Sequence, residues 1–212
     1  MHEESLQFRG VSENDPMNWL AHVFLSEPST DFRLGNLLAD LVRGADRAGM
    51  PPDFLRGAAC HKAIDAFTDA HPVVIGSRHR LDARYRRFSG VIIDIFYDYF
   101  LARSWATYAA RPLDEYASAF YLDVRRRQLA LPADASATLA RIVKHDLLGQ
   151  YQRLNGVENS LRRISTYIAQ RWGRRYELES SIEELRAHES ELAADFAAFF
   201  PQLQAHVDSQ TF

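Results

Sequence analysis

The sequence predicts an all-α protein that folds as a single helical domain. Apolar residues recur at helical spacing along most of the chain, and no segment alternates between apolar and polar residues as a half-buried strand does. The 212 residues are enough for one good-sized core. Neither an internal repeat nor a long linker divides the chain, so we expect one domain.

Caps and prolines mark where the predicted helices begin and end. Ser29, Thr30 and Asp31 offer N-caps for a helix that runs through Leu41. Ser181 begins a capping-box pattern for the last helix. Prolines and apolar spacing delimit the others. After a short apolar segment at 18–25, the predicted helices are 30–41, 52–71, 73–86, 89–108, 113–130, 133–150, 157–172 and 178–208.

The first sixteen residues differ from the rest of the chain. They are polar, lack periodicity and end in Asp15-Pro16. We therefore expect a flexible N-terminal extension at 1–16, followed by the helical domain at 17–212.

Composition narrows the class of protein further. With 47% hydrophobic and 25% charged residues it is typical of globular proteins, and no apolar run approaches the length of a membrane span. No basic-then-apolar leader is recognisable, and the lone cysteine, Cys60, suits a reducing compartment. We expect a cytoplasmic protein without a membrane partner.

Acidic and histidine side chains recur at one-turn spacing in two predicted helices. His61, Asp65 and Asp69 share one helix face, and Asp94 and Asp98 share another. Both runs lie among apolar residues, where an unpaired carboxylate is costly. A divalent-metal site between helices is the interpretation we favour, because imidazole and carboxylate ligands suit Mn²⁺, Fe²⁺, Zn²⁺ or Mg²⁺. The alternative is that histidines and arginines neutralise the carboxylates without a metal.

Two further candidates lie upstream. Asp40 is predicted within an apolar helix with Arg43 three residues on, and a simple ion pair between them is the alternative to a functional role. His22 lies in the apolar segment 18–25, where a histidine is more often a satisfied core residue than a ligand. It becomes a candidate ligand if that segment packs near Asp40 and His61.

Four blocks of the N-terminal half carry the most specific motifs of the chain. They are Met17–His22, Gly35–Gly44, His61–Asp69 and Asp94–Leu101. In this order and spacing they resemble the acyl carrier protein phosphodiesterase family, and the resemblance extends from Met17 to the C-terminus. It implies an all-α fold distantly similar to the HD-domain metal phosphohydrolases. The adjacent His-Asp pair typical of HD domains is absent from these blocks.

The resemblance also implies a reaction and its cofactor. The reaction is hydrolysis of the phosphodiester that joins 4′-phosphopantetheine to a serine of holo-acyl carrier protein. The cofactor is a divalent metal, Mn²⁺ first, with Mg²⁺, Co²⁺ or Fe²⁺ as the other candidates. His22 and Asp40 are candidate catalytic residues, together with Arg43 and Lys62 as cations for the phosphoryl oxygens. Carried over by position, the candidate metal ligands are His22, Asp40, His61, Asp65, Asp69, Asp94 and Asp98.

An acidic substrate protein would give a role to the basic segment that follows the predicted metal-site helix. The arginines expected to dock acyl carrier protein are Arg78, Arg80, Arg84, Arg86 and Arg87. A solvated basic face is the alternative. No nucleic-acid partner is expected because no binding motif accompanies the arginines. Two other functions stay open: a metal phosphohydrolase of a nucleotide or another small phosphate ester, and a helical interaction module without catalysis.

Overall fold

Helices joined by turns and short loops make up the computed structural model, which describes residues 19–212 except the side chain of Arg171. These residues form a single all-α domain without a strand, which confirms the predicted fold class. None of the described helices is both long and apolar enough to cross a membrane. The expected extension at 1–16 and the start of the domain at Met17 lie outside the described residues.

Twelve α-helices and three short 3-10 helices follow one another in the described residues. The 3-10 helices span Ala83–Phe88, Gly149–Gln152 and Leu178–Ser181. The α-helices are α1 (Trp19–Phe24), α2 (Thr30–Leu38), α3 (Gly44–Ala48), α4 (Pro52–Ala70), α5 (Pro72–Arg80), α6 (Ser89–Arg103), α7 (Trp105–Tyr108), α8 (Leu113–Arg127), α9 (Ala133–Lys144), α10 (Leu154–Trp172), α11 (Ile182–Ala187) and α12 (Glu189–Asp208).

Most predicted helices are present, but several end earlier than the sequence indicates. Helix α2 begins after Ser29, whose hydroxyl accepts the Phe32 backbone N–H at 3.4 Å, and ends at Leu38 instead of Leu41. Asp40 therefore lies in a turn and not on a helix. The predicted capping box at Ser181 is wrong, because that hydroxyl donates to the Leu178 carbonyl at 2.7 Å instead.

Helices α2 and α4 pack backbone against backbone at two glycines. A Cβ on Gly35 would lie 2.0 Å from the Phe54 carbonyl oxygen, and a Cβ on Gly57 would lie 2.0 Å from the Phe32 carbonyl oxygen. Any side chain at either position would force the helices apart. This close approach lets the ring of His61 on α4 reach the backbone of α2.

Helix α6 runs through the core and holds α1 in place. Asp98 on α6 is fully buried, and its carboxylate accepts the backbone N–H groups of Leu20 at 3.0 Å and Ala21 at 2.9 Å. A carboxylate at a helix N-terminus satisfies amide donors that have no partner within the helix, and it complements the helix dipole. Asp98 thus fixes the short helix that carries His22.

We expect Gly35→Ala and Gly57→Ala to destabilise the protein by about 1–3 kcal/mol each, because each added methyl meets a carbonyl oxygen. Gly76→Ala on α5 is the matched control, since a Cβ there meets nothing within 4 Å. It should leave stability unchanged or raise it by up to about 1 kcal/mol. Urea unfolding measures all three, and equal stability of the three variants would contradict the close contact of α2 with α4.

Candidate metal centre

Four side chains from three segments meet beside the crossing of α2 and α4. His22 comes from α1, Asp40 from the turn after α2, and His61 and Asp65 from one face of α4. The His61 Nε2 atom lies 3.1 Å from Asp65 Oδ2 and 3.3 Å from Asp40 Oδ2. The His22 Nε2 atom lies 3.4 Å from Asp65 Oδ1. The segment that carries His22 therefore packs near Asp40 and His61, so His22 is a candidate ligand.

The histidines lie at the inner side of this cluster and the carboxylates at its outer side. The side chains of His22 and His61 are 1% and 2% exposed, whereas those of Asp40 and Asp65 are 18% and 21% exposed. The two imidazole rings stack with their centroids 4.3 Å apart. Ligand atoms of His22, His61 and Asp65 all lie within 4.8 Å of one another, which is compatible with a divalent metal ion.

One buried residue, Asn36 on α2, orients both histidines. Its side-chain Oδ1 lies 2.7 Å from His22 Nδ1, and its backbone oxygen lies 2.8 Å from His61 Nδ1. The Asn36 amide nitrogen donates to the His22 carbonyl at 2.9 Å and to the Ser26 hydroxyl at 3.0 Å, which identifies Oδ1 as the acceptor. Each histidine therefore carries a hydrogen on Nδ1, and its Nε2 faces the carboxylates.

This arrangement fits a cation better than an empty cluster. In a neutral imidazole with a hydrogen on Nδ1, Nε2 offers only a lone pair, and a lone pair facing a carboxylate is unfavourable unless a proton or a metal lies between them. The buried Nε2 of His22 has no hydrogen-bond partner among the described residues. Two imidazole nitrogens and two carboxylates form a donor set that suits a divalent transition metal. The Asn36 contacts are those that commonly orient metal-bound histidines.

The charges of the cluster already favour a positive group at its centre. Burial lowers the pKa of His61, but hydrogen bonds to Asp40 and Asp65 and the charges of both carboxylates outweigh burial and raise that pKa to about 9. Burial raises the pKa of Asp65, yet the two adjacent imidazoles of His22 and His61 hold it well below its usual value. The cluster therefore stabilises an ionised Asp65 carboxylate beside a positively charged group.

The structure gives the other predicted ligands different surroundings. Asp94 on α6 lies within electrostatic reach of the cluster, and burial raises its pKa to about 7, against the opposing charge of nearby Arg78. The Asp69 side chain is 56% exposed and forms an ion pair with Arg78. Asp98 is occupied by the backbone of α1, and burial raises its pKa well above the usual value. Asp65 thus belongs to the compact cluster, while Asp69 and Asp98 have other partners.

The two predicted cations flank the cluster in the chain. Arg43 is exposed and precedes α3 directly, three residues after Asp40. Lys62 is exposed on α4 next to His61. Neither takes part in an ion pair among the described residues.

Most of the arginines predicted to dock a partner already contact groups of the chain itself. Arg80 pairs with Asp195 at 3.0 Å, and the Arg84 guanidinium lies 3.8 Å from Glu184. Arg87 stacks over the ring of Trp172, with its guanidinium carbon 4.6 Å from the ring centroid. Arg86 is exposed, whereas Arg78 forms an ion pair with Asp69 and lies within electrostatic reach of Asp94.

Sequence reasoning missed two residues that position this site. Asn36 lies inside the block Gly35–Gly44. The feature that indicates its role is a polar side chain on the buried face of α2, four residues before Asp40. Arg47 on α3 donates to the carbonyl of Ala39 and, at 2.9 Å, to that of Val42. It thereby holds the turn that carries Asp40, a contact that no sequence spacing indicates.

The fold and the site define an all-α protein with a candidate divalent-metal centre built from histidine and aspartate. A family model described as acyl carrier protein phosphodiesterase matches residues 17–203. The chain belongs to this family. It is therefore an enzyme, a hydrolase that acts on phosphodiester bonds.

Individual relatives support this assignment over most of the chain. A Photorhabdus laumondii protein named acyl carrier protein phosphodiesterase is 28% identical over 201 residues, which cover 92% of this chain and 98% of the relative. Proteins of the same name from Shigella boydii and Escherichia coli O157:H7 are 30% identical over 194 residues, which cover 89% of this chain and 96% of each relative. No solved structure matches the chain, so the resemblance to HD-domain phosphohydrolases stays a prediction.

We expect Asn36→Leu to weaken Mn²⁺ binding by about 10- to 100-fold, because both histidines lose part of their orientation. Asn36→Asp keeps an acceptor for His22 Nδ1 and should retain more of the affinity than the leucine variant does. Asn155→Leu, at an exposed position of α10, is the matched control. Calorimetric titration with Mn²⁺ measures the affinities, and circular dichroism confirms that each variant is folded. Equal affinity of Asn36→Leu and the control would contradict the role of Asn36.

Proposed function

We propose that the protein hydrolyses the phosphodiester that joins 4′-phosphopantetheine to the serine of holo-acyl carrier protein. We also propose that His22, Asp40, His61 and Asp65 hold a divalent ion, Mn²⁺ by preference. The observation that carries the proposal is the pair of imidazoles, each committed through Nδ1 to Asn36 and each presenting Nε2 to Asp65. The names of the relatives support the choice of substrate.

The residues of the site have different roles in this reaction. In the metal-bound enzyme the two histidines would supply neutral nitrogen donors, and Asp40 and Asp65 would supply the negative charge that offsets a divalent cation. When bound, such an ion lowers the pKa of a water ligand and withdraws charge from a phosphoryl oxygen. Arg43 and Lys62 are exposed and close in the chain to Asp40 and His61, and we propose that they donate charge-assisted hydrogen bonds to phosphoryl oxygens of the substrate.

The proposed ligand set is narrower than the one carried over from the resemblance. Asp98 is left out because both of its oxygens accept backbone N–H groups, and Asp69 is left out because it is exposed and paired with Arg78. Asp94 stays a candidate for a further ligand, since it lies within electrostatic reach of Asp65 and His61.

We also propose that the enzyme works in the cytoplasm. Its single cysteine, Cys60, is fully buried, and burial raises the pKa of the thiol to about 12. Such a thiol is unreactive and is unsuited to a disulfide with another chain. The cysteine therefore serves as a packing residue that is compatible with a reducing compartment.

Incubation of holo-acyl carrier protein with the enzyme and Mn²⁺ should lower the mass of the carrier protein by one 4′-phosphopantetheine group. Intact-protein mass spectrometry measures the loss, and chelation of the metal should prevent it. A nucleotide panel assayed under the same conditions tests the small-molecule alternative. An unchanged carrier protein beside a hydrolysed nucleotide would identify a small phosphate ester as the substrate, and hydrolysis of neither would contradict the proposed reaction.

The same assay tests the metal centre residue by residue. Asp65→Asn should lower the turnover number by at least about a thousandfold, because the cluster loses the charge that lies between the two histidines. Asp134→Asn, at an exposed position in the first turn of α9, makes the same chemical change away from the site and should retain full activity. If the two variants turn over carrier protein equally well, Asp65 has no part in catalysis.

The docking of the carrier protein is proposed at the exposed end of the basic segment. Arg86 is exposed and Arg84 is 61% exposed, and both lie in the 3-10 helix that leads into α6. Arg84 also has an acidic neighbour, Glu184 at 3.8 Å. Arg78 and Arg80 are less exposed, at 20% and 38%, and pair more closely with Asp69 and Asp195, so they are less suited to contact an acidic protein. A basic rim of this kind acts mainly on association and loses strength in salt.

Reversal of charge in the double variant Arg84→Glu, Arg86→Glu should raise the Michaelis constant for holo-carrier protein by about tenfold or more and flatten its salt dependence. The double variant Arg125→Glu, Arg126→Glu, at exposed positions on α8, makes the same charge change elsewhere. Steady-state kinetics at several ionic strengths compares the two. Identical salt dependence in both double variants would remove the docking role from this segment.

A further inference from the structure

A cavity of about 600 Å³ lies between α9 and α10 and is distinct from the cluster of ligands. Helix α10 provides most of its wall, and Trp19 of α1 and Leu41 from the turn after α2 complete it. Three arginines line the cavity, Arg141, Arg162 and Arg163, and none of the described lining residues is acidic. Arg162 forms an ion pair with Glu158 on the same helix. The volume lies in the range of cavities that hold small organic ligands.

The cavity contains hydrogen-bond donors that lack strong acceptors. The Trp19 side chain is buried, and its indole N–H has no hydrogen-bond partner among the described residues. Arg163 is partly buried and donates to the Ser160 hydroxyl at 2.7 Å. Burial lowers the pKa of Arg163, and the charge of nearby Arg141 lowers it further. Desolvated donors of this kind favour a ligand that brings electron-rich oxygens.

Two residues of the cavity wall are close in the chain to residues of the candidate metal centre. Trp19 precedes His22 by three residues on α1, so the two lie about one turn apart on the same helix face. Leu41 directly follows Asp40. A substrate whose phosphate reaches His22 and Asp40 can therefore extend the remainder of its chain along Trp19 and Leu41 into the cavity.

We propose that this cavity binds the pantetheine arm of the substrate, an assignment that rests on the proposed function. The arm is an extended chain with two amides, a hydroxyl group and a dimethyl branch. Its carbonyl oxygens can accept from Arg163, and its apolar parts can pack on Trp19, Leu41 and Ile164. A purely aliphatic chain would offer Arg163 no further acceptor, and inorganic phosphate would leave most of the volume unfilled.

Calorimetric titration of the full-length protein with pantetheine, which lacks the phosphate, tests this assignment apart from turnover. Arg163→Met should weaken pantetheine binding by about tenfold or more, because the arm loses its charged donor. Thr166→Trp, which adds bulk at an exposed lining position of α10, should weaken it similarly. Arg126→Met, at an exposed position on α8 outside the cavity, is the matched control and should bind as the unsubstituted protein does.

Equal pantetheine affinity of Arg163→Met, Thr166→Trp and the control would overturn the assignment. Binding of inorganic phosphate that depends on Arg163, without binding of pantetheine, would overturn it as well by showing a simple anion site. If both cavity variants release 4′-phosphopantetheine with an unaltered Michaelis constant for holo-carrier protein, the cavity assignment alone is refuted. If pantetheine binding depends on Arg163 but the enzyme cleaves no holo-carrier protein, the cavity assignment is supported and the proposed reaction is refuted.

Discussion

The site depends on the hydrogen bonds that one buried asparagine makes to two histidines. Asn36 accepts from His22 through its side chain and from His61 through its backbone, so both rings turn Nε2 towards the same carboxylate. This arrangement requires α2 and α4 to be in backbone contact, which Gly35 and Gly57 permit. The glycines, the asparagine and the histidines therefore form one structural unit.

A second buried polar contact fixes the helix that carries one of these histidines. Asp98 caps α1 with two hydrogen bonds, and α1 carries both His22 and Trp19. A helix of six residues is too short to be stable by itself, so its position depends on such a cap. The carboxylate of Asp98 thus positions His22 and Trp19 through the backbone of α1.

The sequence predicts the helices well because apolar spacing and caps are local signals. It predicts that His61 and Asp65 share a face, since a helix places residues four apart together. It cannot predict which neighbour that face meets. Asp94 and Asp98 share a face by the same rule, yet Asp94 lies within electrostatic reach of Asp65 and His61, whereas Asp98 binds the N-terminus of α1. The role of His22 likewise depends on tertiary packing. The arginines show a similar limit, because a basic segment does not reveal that Arg80 has a partner 115 residues away, Asp195.

The central claim is that His22, His61 and Asp65 surround a cation, with Asp40 beside them. Anomalous diffraction from crystals grown with Mn²⁺, recorded on both sides of the manganese absorption edge, tests it most directly. The account predicts one strong anomalous peak within about 2.3 Å of Nε2 of both histidines and of an Asp65 oxygen. Crystals that show no peak there, or a peak only at exposed carboxylates, with His61 still hydrogen-bonded to Asp65, would contradict it.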